Sequence, residues 1–476
     1  MHTKNCITHR LLAVSLCLIG IYYSIPPQNA QAMISRNEHC LQPSEDFKFK
    51  IKHSLDLDIS PIPVGISEDT AHYLNRPSIA WSPDGRLFAR KRLIEPEQNT
   101  SILQIFDSGT GDVVIQVKVE GRAKEMAWSP DGQYLAFSIL LLDKNETKVQ
   151  LINLETQASQ TVELEKKVES ISRKFGIMWS SDSLHFTIVG NFEYSRRSGH
   201  SLHIISLQGP SARGRVIYES NSSLGIISAL AWHPNGQSLA ISYGRKIAVA
   251  NMAELDAESH LELTVADDPA HVYWLQDQML ISVSIEGIFL LDVTSKEVTH
   301  IALDLDLDAI LSHNKQYLAV RVYDDPDVAH SPVSAITRVF DLEKKESIFE
   351  TPYGLFDGGK PWFRIVWSPD DQYLALNDAF CGLYVYAVAT GELMFHTSLV
   401  EPDRFGLAFG FDWSPDSRYL AMSGESGNFR IIDIENQREV ALIEHGSEAQ
   451  FVFWNPNGRR ILMEDGSGEF MIELED

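Results

Sequence analysis

The chain is poor in the residues that would tie it to a metal, a disulfide framework or a nucleic acid. Only four cysteines occur in 476 residues. Cys6 and Cys17 fall in an N-terminal apolar segment, and the remaining pair, Cys40 and Cys381, is too widely spaced for a zinc motif. One disulfide between them and two unpaired thiols both stay open. The histidines show no paired ligand spacing, so no metal or other cofactor is expected. There is no basic run of five or more residues and the formal net charge is -25, which excludes counterion release from a nucleic acid as the source of binding energy. No Gly-x-Ser-x-Gly occurs. No helical period of useful length follows the N-terminal segment, which excludes an α-solenoid. No later apolar run is long enough to span a bilayer.

What is present begins with an ordinary globular composition, 44% hydrophobic and 22% charged. Lys4 and Arg10 precede an apolar run from Leu11 to about Tyr23, followed by Pro26, Pro27 and Ala30-Gln31-Ala32. Basic residues, an apolar stretch and an A-x-A site in that order predict a secretory signal over 1–32, cleaved after Ala32, with an uncleaved anchor as the alternative. The segment carries two cations and no acids, so its removal takes the charge to -27. An exported, periplasmic or secreted protein, monomeric and kept soluble by its acidity, is the expectation.

The remainder is a repeat. Trp81-Ser82-Pro83-Asp84-Gly85 returns as Trp128-Ser129-Pro130-Asp131-Gly132, and weaker copies start at Trp179, Trp232, Trp274, Leu311, Trp367, Trp413 and Trp454. From Trp81 to Trp454 the mean interval is about 47 residues, slightly above the period of a propeller blade. In each copy an apolar stretch enters the turn and a second leaves it. Pro suits the φ near -65° wanted in the turn, Asp84, Asp131, Asp370 and Asp416 can accept backbone N–H groups, and Gly takes the positive φ, so each copy predicts a hairpin. A third strand ends in its own turn, as at Asp107, Asp292, Asp341 and Asp433, and a fourth leads to the next tryptophan. Four short antiparallel strands per period describe a propeller blade.

The two ends of the repeat are complementary. The last copy supplies three strands, ending at Glu469–Glu473, while Phe47–Leu57 is an orphan strand ahead of the first. Pairing them would complete the final blade and remove an open sheet edge. The predicted fold is therefore an all-β propeller over 47–476, after an extension at 33–46, with about nine blades, or eight if the degenerate copies at Trp274 and Leu311 are miscounted.

The pattern Trp-Ser-Pro-Asp-Gly-x-x-Leu-Ala resembles the WD-repeat superfamily, and specifically the WD-like repeats of periplasmic Tol-type and prolyl-oligopeptidase-family propellers. The resemblance runs through nearly all of the chain after the signal and implies the fold rather than a function. Typical Gly-His and Trp-Asp dipeptides are absent, so their hydrogen-bond network does not carry over. The hydrolase domain that accompanies peptidase propellers is missing too.

Within this frame the repeated tryptophans, Trp81, Trp128, Trp179, Trp232, Trp274, Trp367, Trp413 and Trp454, read as packing wedges between sheets. Asp304, Asp306 and Asp308 alternate with leucines like one face of a half-exposed strand, and Asp324-Asp325-Pro326-Asp327 reads as a solvated turn before a calcium loop. One pattern points to binding. Cations stand just ahead of the inner strands in several copies: Arg76, Arg122 and Lys124, Arg173 and Lys174, Lys360 and Arg364, and Arg404. Loops in that position gather at one end of a propeller, where they would make an electropositive channel mouth for an anionic ligand or acidic segment, against the plainer reading of surface charges paired with nearby acids. The functional expectation is a non-enzymatic module presenting this face to a protein partner, the alternative being a channel-mouth enzyme or small-ligand receptor.

Overall fold

Nine antiparallel sheets follow one another along the chain, each opened by one of the nine turn motifs. The computed structural model describes residues 49–52, 78–172, 174–194, 197–207, 212–220, 226–254, 261–264, 269–302, 309–323, 332–351, 354–357, 364–378, 382–397, 408–424, 428–444, 449–465 and 468–474. The signal, Cys40, Cys381 and the aspartates at 304–308 and 324–327 lie outside these residues. Among the described residues there is no α-helix, only single 3-10 turns at Pro96–Gln98, Leu142–Lys144 and Met252–Glu254. No helix is long and apolar enough to cross a membrane.

Blades are numbered in chain order. Their first strands are Ile79–Trp81, Arg122–Trp128, Ile177–Trp179, Ile227–Trp232, His271–Gln276, Ala309–Leu311, Ile365–Trp367, Ala408–Trp413 and Ala449–Trp454. These first strands are the central ones, since they touch one another at several seams, as between blades 1 and 2, 2 and 3, 4 and 5, and 8 and 9. The copies at Trp274 and Leu311 are full blades. The ring closes as the two chain ends suggested: Phe49–Lys52 pairs antiparallel with Met471–Leu474, so the ninth sheet is built from both termini and its outer edge is covered.

Two blades exceed four strands. In blade 3 the inner position is split between Ser170–Ile171 and Ile177–Trp179, and the incoming segment adds Glu163–Leu164 in parallel to the outer edge. In blade 6 the ten-residue third strand, Pro332–Asp341, is long enough to pair both Glu346–Glu350 and Gly354–Asp357.

The core lies between blades rather than within one. Alternation along each strand sends side chains to both faces, so Ala89, Leu103 and Ile105 of blade 1 meet Trp128, Phe137 and Ile152 of blade 2. At the closing seam Phe88 and Phe106 stack at 4.8 Å and pack on Leu462 and Met471 of blade 9.

The turns work as their residues dictate. Ser82 Oγ donates to Asp84 Oδ1 at 2.7 Å while Asp84 Oδ1 accepts the Arg86 N–H at 3.0 Å. The same pair of bonds recurs at Asp131, Asp370 and Asp416. The position after the aspartate has positive φ, as in Gly85 (68°) and Gly132 (71°). Four copies put a side-chain-bearing residue there, Ser183, Lys315, Asp371 and Ser417, with φ of 58° to 63°. At the next turn on the same end, Asp107, Asp292 and Asp341 each accept two backbone N–H groups.

Candidate functional site

An inner strand is a sheet edge, so half of its backbone groups face the middle of the ring with no strand to pair them. The tryptophans tie neighbouring blades through other groups, carbonyls that already face the second strand of their own blade. The Trp128 indole N–H donates to the Ala80 carbonyl at 3.1 Å, Trp179 to Ala127, Trp232 to Met178, Trp274 to Ala231, Trp367 to Ile310, Trp413 to Val366 and Trp81 to Phe453. Each indole thus reaches the residue just before the tryptophan position of the preceding blade.

That residue is also the one the channel sees. At all nine positions it is half-buried or exposed, and at Tyr273, Val366, Asp412 and Phe453 both its neighbours are buried. Ala80, Ala127, Met178, Ala231, Ile310, Val366 and Phe453 make this belt apolar. Tyr273 and Asp412 are the exceptions. Asp412 Oδ1 accepts its neighbour's N–H (Trp413, 3.0 Å) and Oδ2 accepts the Trp454 N–H of blade 9 at 2.7 Å. Burial raises its carboxyl to about 6, against the lowering pull of those N–H groups and of Arg364.

Arg364 stands just ahead of the inner strand of blade 7. Its backbone N–H is held by Asn377 Oδ1 at 2.7 Å. Its guanidinium sits 5.7 Å from the centre of the Phe411 ring and donates through Nη1 to the Phe411 carbonyl at 3.3 Å, an open-edge group of blade 8. Burial lowers its proton affinity while the charge of Asp412 raises it. A cation and a carboxyl therefore stand at the inner edges of two adjacent blades, 7 and 8. On blade 9, Phe451 and Phe453 stack at 6.1 Å, and Phe453 packs against the core that blade 9 shares with blade 1.

The other cations ahead of the inner strands are dispersed. Arg122 turns toward blade 1, donating to Asn99 Oδ1 at 3.0 Å. Lys124 lies in a bulge of its strand, and its carbonyl takes a bond from Lys91 Nζ. Lys174 is exposed, 5.8 Å from the Phe175 ring centre, and reaches the Ala270 carbonyl of blade 5 at 3.4 Å, spanning the mouth past blade 4. Arg76, Arg173, Lys360 and Arg404 lie outside the described residues. Asp412 did not stand out by charge or motif. Aligning the nine copies on the tryptophan would have found it, as the sole acid in a column otherwise of Ala, Met, Tyr, Ile, Val and Phe.

At the same end, the outer turns of blades 1 and 2 enclose a pocket of about 580 Å3 lined by Glu95, Asn99, Lys118, Glu120, Asp143 and Lys144 among others. Glu95 and Lys118 pair across it at 2.7 Å, which holds the Glu95 carboxyl below its usual range. Among the described residues no group of three or more His, Cys, Asp or Glu is placed to hold a metal.

No family model matches the chain, and no curated protein does. Solved structures do, at low identity. The structure titled as a eukaryotic initiation factor matches with a TM-score of 0.51 at 15% identity, over 83% of this chain and 89% of the other. The C-terminal WD40 domain of Sif2 matches with 0.47 at 12%, over 84% and 96%. Dihydro-heme d1 dehydrogenase NirN in complex with DHE gives 0.49 at 14%, over 78% and 75%. The fold is that of a β-propeller.

Proposed function

We propose that this propeller is an exported, non-enzymatic binding module that receives a protein partner at the channel end bearing the loops ahead of the inner strands. The observation that carries the reading is where the three most exposed large apolar side chains among the described residues lie, those at the opposite end, such as Leu184, Val298 and Leu393, being less exposed. Ile226 ahead of the blade 4 inner strand is 59% exposed, Ile285 in the second-to-third turn of blade 5 is 54% exposed, and Leu142 in the corresponding turn of blade 2 is 46% exposed. Strand direction places all three at the same end. Exposed apolar tips around a rigid ring suit the burial of a partner surface.

Photo-crosslinking tests this. Benzophenone side chains introduced at 226 and 285 are expected to capture a partner in the native envelope fraction, and one at 133, on the opposite end, is not. Capture from 133 alone, or equally from all three, would overturn the assignment. Intact mass of the purified protein tests export, with cleavage after Ala32 expected.

A further inference from the structure

We propose that Arg364 anchors a carboxylate of the partner segment, that the apolar channel belt beside it, Val366 first, takes the neighbouring apolar side chain, and that Asp412 opposes the anchoring by its charge. This rests on the channel-end docking reading and gives it a chemistry.

Arg364 has five donors, and the described structure uses one of the side chain's N–H groups, on a carbonyl at the long distance of 3.3 Å. A half-buried guanidinium cannot relieve this by losing its proton. It presents a planar fork suited to a bidentate carboxylate. Asp412 does not fill that role. Both of its oxygens are committed to backbone N–H groups, of Trp413 and Trp454. Its influence on Arg364 is through charge, without an ion pair within 4.0 Å among the described residues. The apolar side of the site is already formed. Val366 follows Arg364 by two residues, so it lies on the same face of its strand, and it is half-buried. A segment with an apolar residue next to a carboxylate, such as a free C-terminus, matches this charge and this surface; a cationic segment does not.

Asp412 makes the grip pH-dependent. Arg364 is the charged side chain that acts on it among the described residues, and the backbone N–H groups of Trp413 and Trp454 face it from blades 8 and 9. With its carboxyl near 6, Asp412 is mostly neutral at pH 5 and mostly charged at pH 7.5, where it repels an incoming carboxylate. If only the neutral form accepts the ligand, affinity falls up to about 30-fold between these pH values.

The test is titration calorimetry of the full chain with acetyl-Leu-Phe bearing a free C-terminus, and with its C-terminal amide, at pH 5.0 and 7.5. The acid is expected to bind more tightly at pH 5.0 and the amide not to bind. Arg364→Gln should abolish binding, and Asp412→Asn should hold affinity near its pH 5.0 level at both pH values. Equal binding of acid and amide by the unsubstituted protein overturns the proposal without recourse to any variant. Retention of binding by a folded Arg364→Gln protein overturns it as well. Crosslinking at 226 and 285 with no binding of the acid would sink the anchor and leave the docking face standing. Arg364-dependent binding without a crosslinked partner would keep the anchor and sink the protein-partner reading.

Discussion

Blade 3 buries an imidazole that should make the ring acid-sensitive, and the size of the effect follows from its surroundings. His203 is fully buried on the third strand of that blade, Arg197–Ser206, facing blade 2. Its Nε2 lies 2.9 Å from Ser201 Oγ and its Nδ1 has no hydrogen-bond partner. Burial takes its proton affinity down from 6.5 to about 4, with Glu165 and Glu219 opposing and Lys166 assisting. A depressed histidine contributes stability that is complete above the unfolded value and is lost as pH falls toward the folded one. At pH 5 the unfolded chain holds this proton and the folded chain mostly does not. With 1.36 kcal/mol per tenfold, the fold loses about 2 kcal/mol between pH 7.5 and 5, and about 3 kcal/mol once pH is below both values. The measurement is urea unfolding at both pH values for the unsubstituted protein and His203→Gln. Other groups titrate alike in the two proteins, so the pH-induced loss should be about 2 kcal/mol smaller in the variant. Identical pH dependence would show that His203 is solvated or partnered, and the reasoning would fail.

Further outcomes follow from the seams. Gly85→Ala should destabilise far more than Gly132→Ala: both glycines have positive φ, but a Cβ at 85 would lie 2.2 Å from Asn455 Oδ1, whereas at 132 the nearest atom is Pro83 Cδ at 3.8 Å. Thermal melts of the two variants check this, with about 1 kcal/mol expected at 132 from φ alone. Asp371→Ala should cost about 2 kcal/mol in denaturant unfolding, because the buried carboxylate that holds the His313 and Asn314 N–H groups at 2.9 and 2.7 Å is lost. A chain beginning after Lys52 leaves Met471–Leu474 unpaired and should self-associate at micromolar concentration in size-exclusion chromatography.

The ring was legible in the sequence because its determinants are local and repeated. Ser82, Asp84 and Gly85 set their turn by contacts within a few residues, so nine copies announce nine hairpins even where Leu311 replaces tryptophan. The complementary ends were legible as well, since a strand missing from the last copy and one in excess before the first can be counted. The additions in blades 3 and 6 were not, because Glu163–Leu164 joins an outer edge through pairing with Arg213 and Gly214, about fifty residues away, and carries no turn signal of its own. The candidate site was half legible. Arg364 stood out as a cation near the start of an inner strand, but Arg122, grouped with it by sequence, lies six residues before its tryptophan rather than three and turns to Asn99 instead. Direction of a long side chain depends on what lies beside it in the ring.

The two seams without an indole link show what the polar residues of the channel belt are for. Blade 6 has Leu311 where the others carry tryptophan, and nothing there can donate to the Tyr273 carbonyl. In blade 9 the Trp454 indole turns to Gly458 of its own turn at 3.2 Å, leaving blade 8 unlinked by that route. At each of these seams the link runs the other way. The Tyr273 hydroxyl donates forward to the Ala309 carbonyl at 2.5 Å, and the Asp412 carboxylate takes the Trp454 N–H at 2.7 Å. Tyr273 and Asp412 are thus the two polar residues in the belt because they sit where an indole fails to reach, and each satisfies an open-edge group of the following blade. Asp412 thereby brings a carboxyl into an apolar channel wall for a structural reason, and its charge falls on Arg364 as a consequence. Tyr273→Phe should then weaken one seam by about 1 kcal/mol and leave carboxylate binding unchanged, whereas Asp412→Asn should alter both.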